Sequence, residues 1–220
     1  MRPFQSPPPL PAVADDLLSS GHLWVREHAA GAPLRFAVDG TGLLRFGDDE
    51  RTFEPRDEPL GYRFAARHVR AAFDRDGFRA SVAEPTAYTF LATATRYAGV
   101  PYEFDRLPPV LGLAVLGPDG RVPVDRAVAA FDRLGLDALP AVRKEVRVRD
   151  FDPTGLDWPA SAWYDGPAAG LVVDRRGGPW ALHVREGAAP AADPDPFGTA
   201  DPAALASRLV DRERVAAAAG

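Results

Sequence analysis

The spacing of apolar and polar positions changes along the chain and divides it into elements. Residues 22–27 and 33–38 are apolar at strand spacing, and Asp39-Gly40-Thr41-Gly42 is a turn signal before a short apolar run at 43–46. These three predict a small antiparallel meander. Residues 60–73 place Phe64, Ala65, His68, Val69, Ala72 and Phe73 at helical spacing, with Arg63, Arg67 and Arg70 along another face. That is an amphipathic helix whose arginine row reads as a solvated surface rather than a phosphate contact. Residues 87–93 and 110–116 are apolar runs of strand length. The second leads through Pro118-Asp119-Gly120 to a helix over 124–134 that starts after Pro123. Residues 170–173 and 180–184 flank Arg175-Arg176-Gly177-Gly178, a hairpin signature.

The pattern predicts an α+β fold, with mostly antiparallel sheets and packed helices. Four segments are expected. Residues 1–20 form a proline-rich arm, with Ser6-Pro7-Pro8-Pro9-Leu10 extended and a short helical turn over 13–18; residues 21–186 form the compact domain. Residues 187–200 read as an Ala/Pro/Asp linker, and 201–220 as a C-terminal segment, helical over 202–218 with Asp201 as its N-cap.

Composition narrows the chemistry. At 220 residues and 46% hydrophobic content the chain can bury one sizeable core. A net charge of −5 argues against a dedicated, high-affinity nucleic-acid binder, because neutralising phosphates needs a basic surface. Cysteine is absent, so disulfides and thiolate metal sites are excluded. The first ten residues are polar and proline-rich, and no apolar run reaches membrane-spanning length, so a soluble cytoplasmic protein with no membrane partner is expected. Of the 26 basic residues only Lys144 is lysine. Arginine stays protonated and does not attack carbonyl or phosphoryl centres, so lysine chemistry has one address and two-lysine mechanisms are excluded.

The common catalytic signatures are missing. There is no phosphate-cradling glycine loop, no nucleophile elbow and no histidine pair at metal spacing. The acidic runs Asp48-Asp49-Glu50 and Asp193-Pro194-Asp195 sit in loops and read as solvated charge, and no metal ligand is assigned. Trp158, Trp163 and Tyr164 are large enough to stack on a base, but core packing is the commoner role of such rings.

The order of several segments carries more. Glu27-His28-Ala29-Ala30-Gly31-Ala32 precedes a strand, turn and strand ending at Phe46-Gly47 and Arg51. Thr89-Phe90-Leu91-Ala92-Thr93 follows, then residues 102–109 and a buried strand. Late in the chain Tyr164-Asp165-Gly166-Pro167-Ala168-Ala169-Gly170 leads into the hairpin. This order, over residues 23–184, resembles the ATP-dependent RNA ligases of the covalent nucleotidyltransferase superfamily. In that family a Glu-Lys-x-Asp-Gly motif supplies the lysine that attacks the α-phosphate of ATP. Aligned on the glycine, this chain has His28 at the lysine and Ala30 at the aspartate. A second register, Ala37-Val38-Asp39-Gly40, restores Asp-Gly but leaves alanine at the nucleophile. The first is preferred because the strand-turn-strand then falls on 33–46.

Further departures follow from the resemblance. Thr93 stands where the family has a ribose-contacting glutamate, Ala169 precedes Gly170 where it has Glu-Gly, and Trp180-Ala181-Leu182-His183 lacks the closing lysines. The resemblance places His28, Gly31, Arg51, Thr93, Gly170 and His183 around a nucleotide pocket between two sheets, with Arg35, Arg45, Arg96 and Arg175 as further lining residues. It implies a ligase-like fold that has lost covalent adenylation and serves as a nucleotide- or nucleic-acid-binding or regulatory module, with nucleotide, RNA or a protein as partner. No cofactor is assigned unless activity is retained, in which case ATP and Mg²⁺ are implied. Two alternatives stand beside it. One is an active ATP-dependent RNA ligase or related nucleotidyltransferase, either with motifs diverged into another alignment or with His28 in place of the lysine; the other is a structural interaction protein. Lys144 lies outside every motif and reads as a surface residue paired with a nearby acid.

Overall fold

Two antiparallel sheets face one another in the computed structural model, which describes residues 1–95, 102, 103 and 105–187. The chain enters through helix α1 (Leu10–Leu17) and strand β1 (His22–Glu27), then crosses to the second sheet for β2 (Gly31–Val38) and β3 (Leu44–Gly47). Helices α2 (Leu60–Ala72) and α3 (Arg75–Ser81) precede β4 (Thr89–Thr95), β5 (Val110–Gly117), β6 (Gly120–Arg121) and helix α4 (Val124–Arg133). The chain then returns to the first sheet as β7 (Ala141–Arg147), β8 (Gly170–Arg175) and β9 (Trp180–Val184). The strand orders are β7-β1-β8-β9 and β3-β2-β4-β5-β6.

The expected α+β architecture is present, but the expected meander is not. β2 and β3 form the hairpin, with Phe36 opposite Phe46, whereas β1 pairs with β7 and β8 in the other sheet. Only His28, Ala29 and Ala30 separate β1 from β2, and these three residues carry the chain from one sheet to the other. The meander fails because adjacent strands in sequence each bury both faces. β1 is buried from Leu23 through Glu27 and β2 from Leu34 through Val38, so each needs a covering layer of its own.

Three apolar layers result. Outside the five-stranded sheet, α2, α3 and α4 pack Val69, Phe73, Phe78 and Phe131 onto Phe36 and Phe90. The Phe36 and Phe90 rings stack at 4.9 Å, and Phe73, Phe78 and Phe131 meet Phe90 edge-on at 5.1 to 5.7 Å. Outside the four-stranded sheet, Leu10 and Leu17 of α1 pack with Leu23, Val25, Leu171 and Val173. Between the sheets lies the third layer, built from Leu91, Leu111 and Leu113 on one side and Val172 and Trp180 on the other. All eight residues of β5 are buried because it is covered on both faces.

Helix α1 begins at Leu10, three residues before the expected turn, with proline at its start where no backbone donor is needed. The hairpin around residues 175–178 forms as expected, with Gly177 at φ 68°. The expected linker beyond Gly187 and the expected C-terminal helix lie outside the described residues, as does Arg96. Among the described residues no helix is long and apolar enough to cross a membrane.

Candidate functional site

β1 delivers Glu27 and His28 to the junction between the sheets, and the turn into β2 sets the geometry around them. Glu27 is 2% exposed and its carboxylate accepts hydrogen bonds from Ser161 Oγ at 2.6 Å and Ala162 N–H at 2.8 Å. Burial raises its pKa, and those two bonds oppose the rise. The Glu27 carboxylate thereby pins the 160–163 segment under the crossing. His28 follows with its own N–H bonded to the Gly170 carbonyl at 2.9 Å. His28 is half-buried, and desolvation lowers its pKa to about 4, so it is neutral at physiological pH.

Below the crossing the space is occupied by rings. Tyr102 is 1% exposed and its hydroxyl accepts the Ala30 N–H at 2.9 Å. Trp163 and Tyr164 meet the Tyr102 ring edge-on at 6.0 and 5.7 Å. Desolvation, helped by the nearby Glu27 and Tyr164, pushes the Tyr102 hydroxyl up to about 12, against the Ala30 bond, so it stays protonated. Ala29, Ala30 and Ala169 belong to the same packed cluster. Trp163 and Tyr164 are therefore core rings, as the packing reading expected.

The six residues predicted for the pocket are not one constellation. His28 touches Gly170, where a Cβ would come within 3.3 Å of the imidazole, so this pair is assembled. Gly31 and Thr93 also meet across the β2–β4 ladder, where a Cβ on Gly31 would sit 2.4 Å from the threonine methyl. His183 stands apart. Its ring stacks on Trp158 at 5.1 Å and Nε2 contacts the Pro153 carbonyl, on the outer face of the four-stranded sheet. Alternation along β9 turns Trp180 and Leu182 toward the inter-sheet layer instead. Arg51 is exposed in the loop after β3. Arg45 is held by Asp39 at 2.7 Å, and Arg175 clamps Asp16 beside α1. Arg35 alone of the named arginines among the described residues is buried, and alternation along β2 turns it to the inner face.

The alternative register at Asp39-Gly40 is a turn. The Asp39 carboxylate accepts from the Thr41 hydroxyl and backbone, from Leu43 N–H and from Arg45, and these bonds hold its pKa well below the usual carboxylate range. Lys144 sits on edge strand β7 with Nζ 5.0 Å from the Trp24 ring, so its partner is an aromatic face and not the expected acid.

Sequence reasoning missed a buried triad that ties the sheets together. Asp174 on β8 is fully buried and accepts from Arg26 of β1 at 2.8 Å and from Arg121 of β6 at 2.7 Å. Arg26 also donates to the Leu113 carbonyl of β5 at 2.8 Å, and Arg121 lies over the Trp180 ring at 4.5 Å. The signal was present: Arg26 and Asp174 are charges directly after the apolar runs Leu23-Trp24-Val25 and Leu171-Val172-Val173 of two buried strands. Tyr102 left no comparable mark in the sequence.

A Naegleria gruberi RNA ligase with pyrophosphate superposes with a TM-score of 0.61 at 9% identity, over 84% of this chain and 56% of that one. An archaeal ATP-dependent RNA ligase gives 0.59 at 13% identity, over 99% of this chain and 61% of that one. The fold is that of the RNA ligases. This RNA-ligase-like chain spans somewhat over half the length of those enzymes. No protein-family model matches the sequence, and no curated protein does.

A mutant of the Naegleria RNA ligase was solved with ATP and manganese. At the positions that the resemblance assigns to metal and phosphate, the residues of this chain do not fit such groups. Ala30, Thr93, Ala169 and Leu182 offer neither carboxylate nor cation, and Glu27 is already committed to Ser161 and Ala162. Among the described residues no cluster of three acidic, histidine or cysteine side chains is disposed to hold a metal.

Proposed function

We propose that this chain is a ligase-like domain that does not form a covalent nucleotide adduct and acts as a binding or regulatory module for a nucleotide or nucleic acid. The observation that carries the reading is the packing beneath the β1–β2 crossing. Where the family's chemistry requires a lysine, an aspartate and room for a triphosphate, this chain has a neutral histidine, an alanine and the Tyr102–Trp163–Tyr164 cluster. Charge on a transferring phosphoryl group needs fixed cations, and removing one such group costs about 10²–10³-fold in rate. Several are missing at once. Lys144, on β7 and stacked on Trp24, does not substitute for them.

Incubation of the purified protein with α-labelled ATP and Mg²⁺ tests the reading, with no covalent label as the expected outcome. A label that survives denaturation would overturn it. If that label disappeared in His28→Ala, the imidazole would be the nucleophile and the protein an active transferase. The binding half is read separately. Millimolar ATP or short RNA should raise the melting temperature, because a ligand that binds only the folded state stabilises it. No shift with either ligand would favour a structural interaction protein.

A further inference from the structure

The expected polyproline arm is not loose. Residues 1–9 run across the open side of the sandwich from one sheet to the other. Arg2 N–H donates to Thr89 Oγ1 at 2.9 Å, and the Arg2 guanidinium donates to the Pro118 carbonyl at 2.9 Å. Phe4 packs on the inter-sheet layer together with Leu182. At the far end the Pro8 carbonyl accepts the Leu182 N–H at 2.8 Å, and Pro9 bridges Leu182 on the edge of β9 before α1 wraps to the outer face.

Beneath this strap lies Arg35. It is 6% exposed, and its Nη1 donates to the Arg2 carbonyl at 3.0 Å. Its Nε has no hydrogen-bond partner, and among the described residues no carboxylate pairs with it. A buried, unpaired guanidinium is costly, and a single neutral carbonyl offsets little of that cost. The contrast within the same fold is direct, because Arg26 and Arg121 share the buried Asp174. Gly47, opposite Arg35 on β3, lets the chain pass close to the guanidinium: a Cβ there would sit 3.0 Å from Nε and 2.4 Å from the Arg51 carbonyl. Thr89, 1% exposed, supplies a hydroxyl on the same sheet.

We propose that Arg35 and Thr89 form an anion site for a phosphate-bearing ligand, and that residues 1–4 of the N-terminal arm cover it as a displaceable strap. The Arg2 carbonyl holds the place of a ligand oxygen, and its N–H holds the Thr89 hydroxyl. A phosphate would pair with the guanidinium through two parallel N–H···O bonds, which a carbonyl cannot do. The strap's hold rests on three hydrogen bonds at Arg2, each with a neutral acceptor, and one half-buried ring, so an anion that pairs with the Arg35 charge competes with it. This site rests on the binding half of the reading above and not on its noncovalent half. A covalent adduct would overturn the latter and leave Arg35 untouched.

Calorimetric titration of the full chain with inorganic tripolyphosphate, with ATP as a second arm, tests the site. An Arg2→Pro/Phe4→Ser variant, which loses the N–H donor to Thr89, the guanidinium bond to Pro118 and the Phe4 ring, should bind tripolyphosphate at least tenfold more tightly than the unaltered chain. Adding Arg35→Gln should abolish the gain. ATP matching tripolyphosphate would identify the phosphate as the recognised group, whereas ATP binding that ignores Arg35→Gln would place nucleotide recognition elsewhere. Unchanged affinity in the strap variant, or a gain that survives Arg35→Gln, overturns the proposal. A readout in the unaltered chain covers the case in which the Arg35 variant does not fold: the Arg35 Nε–H resonance should shift on titration with tripolyphosphate. An unmoved resonance at saturation likewise overturns it.

Discussion

His28 stands where the resemblance places the family's nucleophile, and its surroundings hold it in one protonation state. The ring packs against Gly170, and burial disfavours its charged form. The folded pKa near 4 lies below the 6.5 of an unfolded histidine, so between those values the unfolded chain binds the extra proton. Stability attributable to His28 is therefore complete above pH 6.5 and is lost as pH falls toward 4, at no more than about 1.4 kcal/mol per pH unit. Glu27, with its raised pKa, works in the opposite direction on acidification. Urea titrations of the unaltered chain and His28→Gln from pH 7 to 4.5 separate the two: the histidine variant should lose the acid-side slope. Tyr102 gives the alkaline counterpart. Its folded hydroxyl titrates near 12 against 10 unfolded, so stability should decline above pH 10. Tyr102→Phe should remove that decline while costing about 1–3 kcal/mol at neutral pH, because the Ala30 N–H is left buried without an acceptor. Asp174 makes the largest single-residue prediction. Asp174→Asn removes the charge facing Arg26 and Arg121, and about 3–5 kcal/mol should be lost in urea denaturation.

At the scale of elements, the sequence was most legible where periodicity and punctuation agree. β1, β8 and β9 fall close to their expected positions, and α2 and α4 follow their helical spacing to within a residue at the C-terminal end. Helix α3 was not legible, because seven residues with an internal Gly77 show no usable period; it forms because Asp74 caps the Gly77 N–H and Phe78 reaches the aromatic layer. Sheet membership was not legible either. Apolar runs buried on both faces look alike whichever sheet they join, so β1 was grouped with β2 and β3. The site suffered the same ambiguity: a strand's alternation is visible in sequence, but which face meets the other sheet is not, and His183 was assigned to the face that Leu182 holds. Close approach between elements is likewise invisible until they pack. Gly112 of β5 lies under Phe131 of α4, where a Cβ would come within 2.5 Å of the ring. Gly112→Ala should lower stability by about 1–3 kcal/mol, and Phe131→Leu in the same chain should recover part of the loss, as measured by thermal unfolding of both variants.

At the scale of the whole molecule, the two sheets are joined by devices that leave the framework of the RNA-ligase-like fold intact while filling the space between them. The Arg26–Asp174–Arg121 triad and the Arg26 contact to the Leu113 carbonyl lock the sheets at one level. The Tyr102–Trp163–Tyr164 cluster occupies the level beneath the β1–β2 crossing, and the arm spans the open side. On the noncovalent reading proposed above, the block to adenylation lies in the packed layer and not in one missing side chain. This distinction is testable by restoring the side chains alone. His28→Lys with Ala30→Asp rebuilds the Glu-Lys-x-Asp-Gly pattern on the existing Glu27 and Gly31. It also puts a charged ammonium and a carboxylate into a layer that holds a neutral imidazole at the first position and a 3% exposed alanine at the second. The expected result with α-labelled ATP and Mg²⁺ is no adduct, together with a lowered melting temperature, because both new charges enter a region with no room for their hydration. Adding Tyr102→Ala would open space beneath Ala30, and an adduct appearing only in that triple variant would locate the block in the ring cluster. An adduct in the double variant would mean that the space between the sheets still admits a triphosphate, and that the two side chains were the whole of the loss.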